Sequence, residues 1–138
     1  MLLFTVGCFL LSFTIPDFGK TMRWEIIGHK KVSPKQDKVE IPVKVLTNKS
    51  SALRFSINAG DLYIHHSKVY FDDGEFQTIP LRRKYFSGNL SKIVDLRGGI
   101  RSIVKCEVFF TPDRLAKEQP IIELWAKTEF NEGLADNK

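Results

Sequence analysis

The sequence predicts an all-β chain: a single-domain antiparallel β-sandwich of about eight strands, with a small closed β-barrel as the alternative. Three observations carry this. From Trp24 onward apolar residues recur with a period of two rather than 3.6. β-branched and aromatic residues dominate those runs, and Pro, Gly, Asn and Asp clusters separate them. No stretch has the length and spacing of an amphipathic helix, so the pattern is that of sandwiches and barrels. At 138 residues, with 43% apolar and 27% charged residues, the chain is sized for one core and is too apolar for disorder.

The first strand runs from Trp24 to Val32 and ends at the turn Ser33-Pro34-Lys35-Gln36-Asp37. Val39, Ile41, Val43 and Val45 then alternate with polar residues, and Pro42 marks this strand as an edge because proline cannot donate to a ladder. After the turn Asn48–Ser51, residues Leu53, Phe55, Ile57 and Ala59 alternate inward, with Arg54, Ser56 and Asn58 facing out. Leu62 and Ile64 share one parity while Val69 and Phe71 share the other. A bulge or short turn is therefore needed across His65-His66-Ser67-Lys68. Asp72-Asp73-Gly74 is a hairpin signal leading to a strand with Ile79 and Leu81, where Pro80 points away. Ser87-Gly88-Asn89 turns the chain into a short strand, Ile93–Leu96, and Arg97-Gly98-Gly99 turns it again. Ser102–Phe110 is the strongest core strand, with Val104, Cys106, Val108 and Phe110 on one face. A loop with one helical turn at Arg114–Gln119 precedes the last strand, Ile121–Ala126.

The domain organisation that follows is a signal-peptide-like or anchoring segment at 1–20, a sandwich domain at 21–128 and a flexible polar tail at 129–138. Residues 2–16 form an uncharged apolar run ending at Pro16, shorter than a membrane-spanning helix and matched to a signal-peptide hydrophobic region. No Lys or Arg precedes it and no Ala-x-Ala-like site follows it. The expected location is periplasmic or secreted, the alternatives being N-terminal anchoring or the cytoplasm. A buried strand is the competing reading of the same residues. Without this segment Cys106 is the one remaining cysteine, which excludes an internal disulfide and reads as an inert core thiol.

The formal charge of +5 is concentrated in two blocks. One spans residues 20–54. The other spans 81–105 and holds Arg82, Arg83, Lys84, Lys92, Arg97, Arg101 and Lys105 against Asp95 alone. Such a surface suits an anionic polymer, or simply keeps the protein soluble. Nucleic acid is disfavoured, because no aromatic-plus-basic signature accompanies the charge along the chain.

The candidate anion-binding residues are therefore Arg97, Arg101, Arg82, Arg83 and Lys84. The glycine turn before Arg101 predicts a structural ion pair between Asp95 and Arg101. No catalytic, cofactor-binding or metal-binding residues are expected, and no cofactor. His65 and His66, as strand neighbours, point to opposite faces and are poorly placed to share a metal. Asp72-Asp73-Gly74-Glu75 lacks the spacing of an EF-hand. There is no Gly-x-Ser-x-Gly elbow and no Cys–His or Ser–His pairing. Asn48-Lys49-Ser50 and Asn89-Leu90-Ser91 are sequons only in a eukaryotic secretory pathway.

Trp24-x-x-x-Gly28, Val69-x-Phe71-x-x-Gly74 and Asp95-Leu96-x-Gly98-x-x-Arg101-x-Ile103 together resemble a group of small exported bacterial β-rich proteins of unknown function. The resemblance implies a compact extracytoplasmic sandwich without an assigned activity. The expected function is a non-enzymatic extracytoplasmic binding or interaction domain, for an anionic envelope polymer or a protein. The alternative is an envelope assembly accessory that pairs through an edge strand.

Overall fold

In the computed structural model, residues 20–33, 35–43 and 49–131 are described, and they form eight strands and no helix. The expected segment 1–20 lies almost wholly outside them, as do Pro34 and the tail from 132. The strands are β1 (Lys20–Lys31), β2 (Lys38–Pro42), β3 (Ser50–Asn58), β4 (Leu62–Phe71), β5 (Phe76–Tyr85), β6 (Val94–Asp95), β7 (Ile103–Phe110) and β8 (Ile121–Asn131). They make two antiparallel four-stranded sheets, ordered β1-β8-β3-β6 and β2-β7-β4-β5, that do not close into a barrel.

Alternation builds the core. Ile122, Leu124 and Ala126 of β8 and Leu53, Phe55 and Ile57 of β3 bury one parity. They meet Ile41 of β2, Cys106, Val108 and Phe110 of β7, Ile64 and Val69 of β4, and Ile79 of β5. Each of these is at most 1% exposed, so apolar side chains fill most of the space between the sheets.

Pro42 and Pro80 lie on β2 and β5, the two edge strands of the second sheet, where a missing N–H costs no ladder bond. The parity switch in β4 is a bulge between Ile64 and His66, seen against both β5 and β7. It keeps Ile64 and Val69 on the same side of the sheet. Gly28 follows a similar shift in β1, and a Cβ there would stand 2.5 Å from the Pro42 carbonyl oxygen. The sheets close on each other at this point because residue 28 has no side chain.

Six local expectations are corrected. β1 begins at Lys20 and ends at Lys31, while the amide of Val32 bonds the Pro120 carbonyl at 2.8 Å. Val104 is exposed rather than facing inward with Cys106, because a register shift opposite Tyr70 and Phe71 puts Ile103 in the core instead. Ser56 is buried under Trp125 and Glu123, and Ala59 leaves the strand with φ 61°. The 111–120 connection holds a turn closed by Ala116 N–H to the Asp113 carbonyl, with no helix. β8 continues to Asn131, beyond the expected start of the tail.

The open edge of β3 is sealed by the connection between β5 and β7. Gly88 and Asn89 bond Ile57, Ser91 bonds Phe55, Leu96 bonds Ser51 and Arg101 bonds Ser50. β6 is the two-residue part of this strap that pairs as a strand.

Candidate functional site

The polar parity of the second sheet forms a half-exposed face of rings and cations. It draws Lys38 and Glu40 from β2, Lys105, Glu107 and Phe109 from β7, His66, Lys68 and Tyr70 from β4, and Phe76 from β5. Strand registry sets the grid: Lys38 is opposite Phe109, Phe109 opposite His66, Glu107 opposite Lys68, and Tyr70 opposite both Lys105 and Phe76.

Each ring in the grid has a cation or another ring against it. His66 stacks on Phe109 with centroids 4.4 Å apart and planes 14° from parallel. Lys68 Nζ lies 5.2 Å from the Phe76 centroid and 6.0 Å from that of Phe109, while Lys38 Nζ is 5.7 Å from Phe109. Lys105 Nζ stands 4.8 Å over Tyr70, whose ring is 5.6 Å from Phe76. These are cation–π distances, which hold long lysine stems down along the sheet.

Glu107 anchors the middle. Tyr70 donates its hydroxyl to Glu107 Oε1 at 2.8 Å, and Lys38 Nζ is 3.5 Å from Oε2. The Tyr70 hydrogen bond, with Lys38 and Lys105 adding charge, holds the carboxyl below its usual range, and the same bond raises the Tyr70 phenol. Lys105 Nζ also reaches Glu40 at 3.9 Å. The face therefore offers aromatic surface, ammonium groups and ionised carboxylates side by side.

The five anion-site candidates are divided between the two ends of β5. Arg82, with φ 41° beside the β4 bulge, lines a shallow hollow with His65, His66 and Pro80 at the margin of the face. Arg83 lies over the Tyr85 ring at 4.9 Å, and Lys84 over Phe86 at 5.5 Å. Arg97 lies near the opposite end, where its amide donates to Gln77 Oε1 at 2.8 Å and Gln77 Nε2 donates to the Asp95 carbonyl at 3.2 Å.

The expected Asp95–Arg101 pair is replaced by another. Arg101 Nη2 bonds Asp73 at 2.7 Å and Glu75 at 2.6 Å, and its guanidinium lies 3.9 Å over the Phe71 ring. Pairing of Phe71 with Ile103 brings the 72–75 hairpin to Arg101, whereas Asp95 is held at the β3 edge opposite Ala52. The same pair explains Asp73 and Glu75, whose carboxylates already face a guanidinium. Asp73 is held below its usual range first by the Glu75 amide and then by Arg101.

His65 shares a 2.8 Å hydrogen bond with Thr111 while His66 stacks on Phe109. Yet both line the hollow beside Arg82, because the β4 bulge falls at His65 rather than leaving the two on opposite faces. Among the described residues no group of three His, Cys, Asp or Glu could hold a metal ion. Cys106 is fully buried, shares a 3.0 Å hydrogen bond with Ser67, and burial pushes its thiol up to about 12. Among the described residues no helix is long and apolar enough to cross a membrane.

Sequence reasoning missed the aromatic face because its members come from the β4–β5 hairpin together with β2 and β7, which are distant from it in the chain. The available signal was parity: the polar positions of β4, β5 and β7 hold His66, Tyr70, Phe76 and Phe109 among lysines.

The sequence matches the family described as "Domain of unknown function (DUF2541)" over residues 4–126. A structure of Pseudomonas aeruginosa AlgX resembles the fold with a TM-score of 0.46 and 12% identity, covering 72% of this chain and 26% of that one. The chain thus spans about a quarter of that structure's length. No curated protein matches.

Proposed function

The chain belongs to the DUF2541 family, and we propose that it is a non-enzymatic binding module acting outside the cytoplasm, whose second-sheet face engages an acidic polysaccharide. The observation that carries this reading is the alternation of rings and ammonium groups around Phe109, Tyr70 and Phe76. A sugar ring presents an apolar C–H face to an aromatic ring, and its carboxylates meet Lys38, Lys68 and Lys105. Glu107 and Glu40 then accept hydroxyl hydrogen bonds. The same two carboxylates disfavour a polyphosphate backbone, which meets only repulsion from them. Arg82 and Lys84 extend the positive margin and draw the polymer in by long-range attraction.

The test is retention of the full chain on an immobilised polyuronate against neutral cellulose and single-stranded DNA. Retention on polyuronate that falls about tenfold in Phe109→Ala, and again in Lys68→Gln, supports the reading. Stronger retention on DNA reassigns the face to nucleic acid, and no retention on any matrix ends the reading.

A second reading rests on β1. It pairs with β8 alone among the described residues, and β1 itself contains no proline. A partner strand could add beside it, as expected of an envelope assembly accessory. Stoichiometric co-purification of one protein, lost on Met22→Pro, distinguishes this from polymer binding.

A further inference from the structure

We propose that one end of the sandwich, adjoining the sheet face at Lys38 and Phe109, docks on an anionic lipid surface. This end is where β1, β3, β5 and β7 finish and where β2, β4 and β8 begin. Its loops are tied together rather than loose. The amide of Val32 bonds the Pro120 carbonyl, Ala59 N–H bonds Ser87 Oγ at 2.9 Å, and Thr111 N–H bonds the Tyr63 carbonyl at 3.0 Å.

Large apolar side chains stand out from this frame. Leu115, at the tip of the 111–120 loop, is 89% exposed, and Phe86 and Leu90 on the neighbouring connection are 52% and 48% exposed. Lys84 links the two loops: its Nζ lies 5.5 Å from the Phe86 centroid, and it lines one hollow with Lys117 and the acids Asp61, Asp113 and Glu118. Packing within the fold gives Leu115 almost no cover.

The charge around these residues is positive. The Arg82–Lys84 block, Lys30, Lys31, Lys35, Arg114 and Lys117 surround the end, against Asp37, Asp61, Asp113 and Glu118. Two of the acids are turned to the backbone: Asp113 caps the Leu115 amide at 3.0 Å, and Asp61 accepts from the Ser87 amide at 3.4 Å. Isolated apolar tips on an end where bases outnumber acids suit a bilayer interface, where the tips enter the headgroup layer and the bases meet acidic lipids. A protein partner would instead favour a contiguous apolar patch with few charges at its centre.

The test is site-specific, because the apolar residues 2–16 could carry the chain to vesicles by themselves. In the full chain with Cys8→Ser, an environment-sensitive fluorophore is placed at Leu115→Cys, at Phe86→Cys, or at Asp72→Cys in the hairpin of the opposite end. Phosphatidylglycerol-containing vesicles should shift the emission of the first two to the blue and leave the third unchanged. Pure phosphatidylcholine should shift none. Combining Arg114→Glu with Lys117→Glu should weaken the vesicle response about tenfold or more. Sedimentation with vesicles without a shift at 86 or 115 overturns the proposal, as does an equal response to neutral lipid. A shift that appears only on adding a protein partner also overturns it. Phe109→Ala should leave vesicle docking intact and Leu115→Ser should leave polyuronate retention intact, so this proposal and the sheet-face reading fail separately.

Discussion

Tyr70 and Glu107 form a diagonal pair across β4 and β7, joined by a 2.8 Å hydrogen bond from the phenol to the carboxylate. The bond fixes an ionised group at the centre of a ring-and-lysine face, and it makes that face responsive to acid. Glu107 has a folded pKa below its unfolded value, so its contribution to stability is present above about pH 4–5 and is lost as pH falls through the lowered value.

Tyr70→Phe removes the largest cause of that shift. The variant should show a shallower loss of urea midpoint between about pH 5 and pH 3 than the parent, with little difference in slope above pH 6. Identical acid limbs in the two proteins would show that the Tyr70 bond does not tune Glu107.

Gly28→Ala should be among the most destabilising single-methyl changes in the chain. The new Cβ would stand 2.5 Å from a backbone oxygen, Pro42 O, and 3.0 Å from Ile41 Cγ2, so relief requires β1 and β2 to move apart. A cost of about 1–3 kcal/mol is expected from chemical denaturation. A change below about 0.5 kcal/mol would mean that the sheets part there freely.

Arg101→Lys should not substitute for arginine. One ammonium cannot hold Asp73 and Glu75, reach the Arg97 carbonyl and cover Phe71 together, as Nη2, Nη1 and the guanidinium plane of arginine do. Hydrogen exchange at the amides of Asp72, Gly74 and Glu75 should quicken in both Arg101→Lys and Arg101→Met. Unchanged exchange in the lysine variant would count against the fork geometry.

Cys106 should resist thiol reagents in the native protein. In a Cys8→Ser background at pH 8, a thiol raised to about 12 and fully buried is almost entirely protonated, and it should react only after denaturation. Fast native labelling would reveal opening of β7 from β4.

The parts of the fold legible in the sequence are those that depend on neighbours along the chain. Alternation fixed which parity of β3 and most of β7 faces inward, Pro42 marked β2 as an edge, and the mismatch between Ile64 and Val69 announced the β4 bulge. Sites that depend on pairing between strands were hidden. Arg101 is six positions after Asp95, yet ladder register delivers it to Asp73 and Glu75. Val104 has the right parity and is turned outward by a shift that no local residue signals. Strand parity alone carried the signal of the ring-and-lysine face, since His66, Tyr70, Phe76 and Phe109 become neighbours only once β4, β5 and β7 are side by side.

The most direct measurement is a backbone-amide NMR titration of the full chain with an acidic oligosaccharide. The account predicts that the shifted amides centre on Lys38, His66, Lys68, Tyr70, Phe76 and Phe109, fading toward β1 and β8 and weakening with salt. Shifts centred on the first sheet, or no shifts at millimolar oligosaccharide, would contradict it.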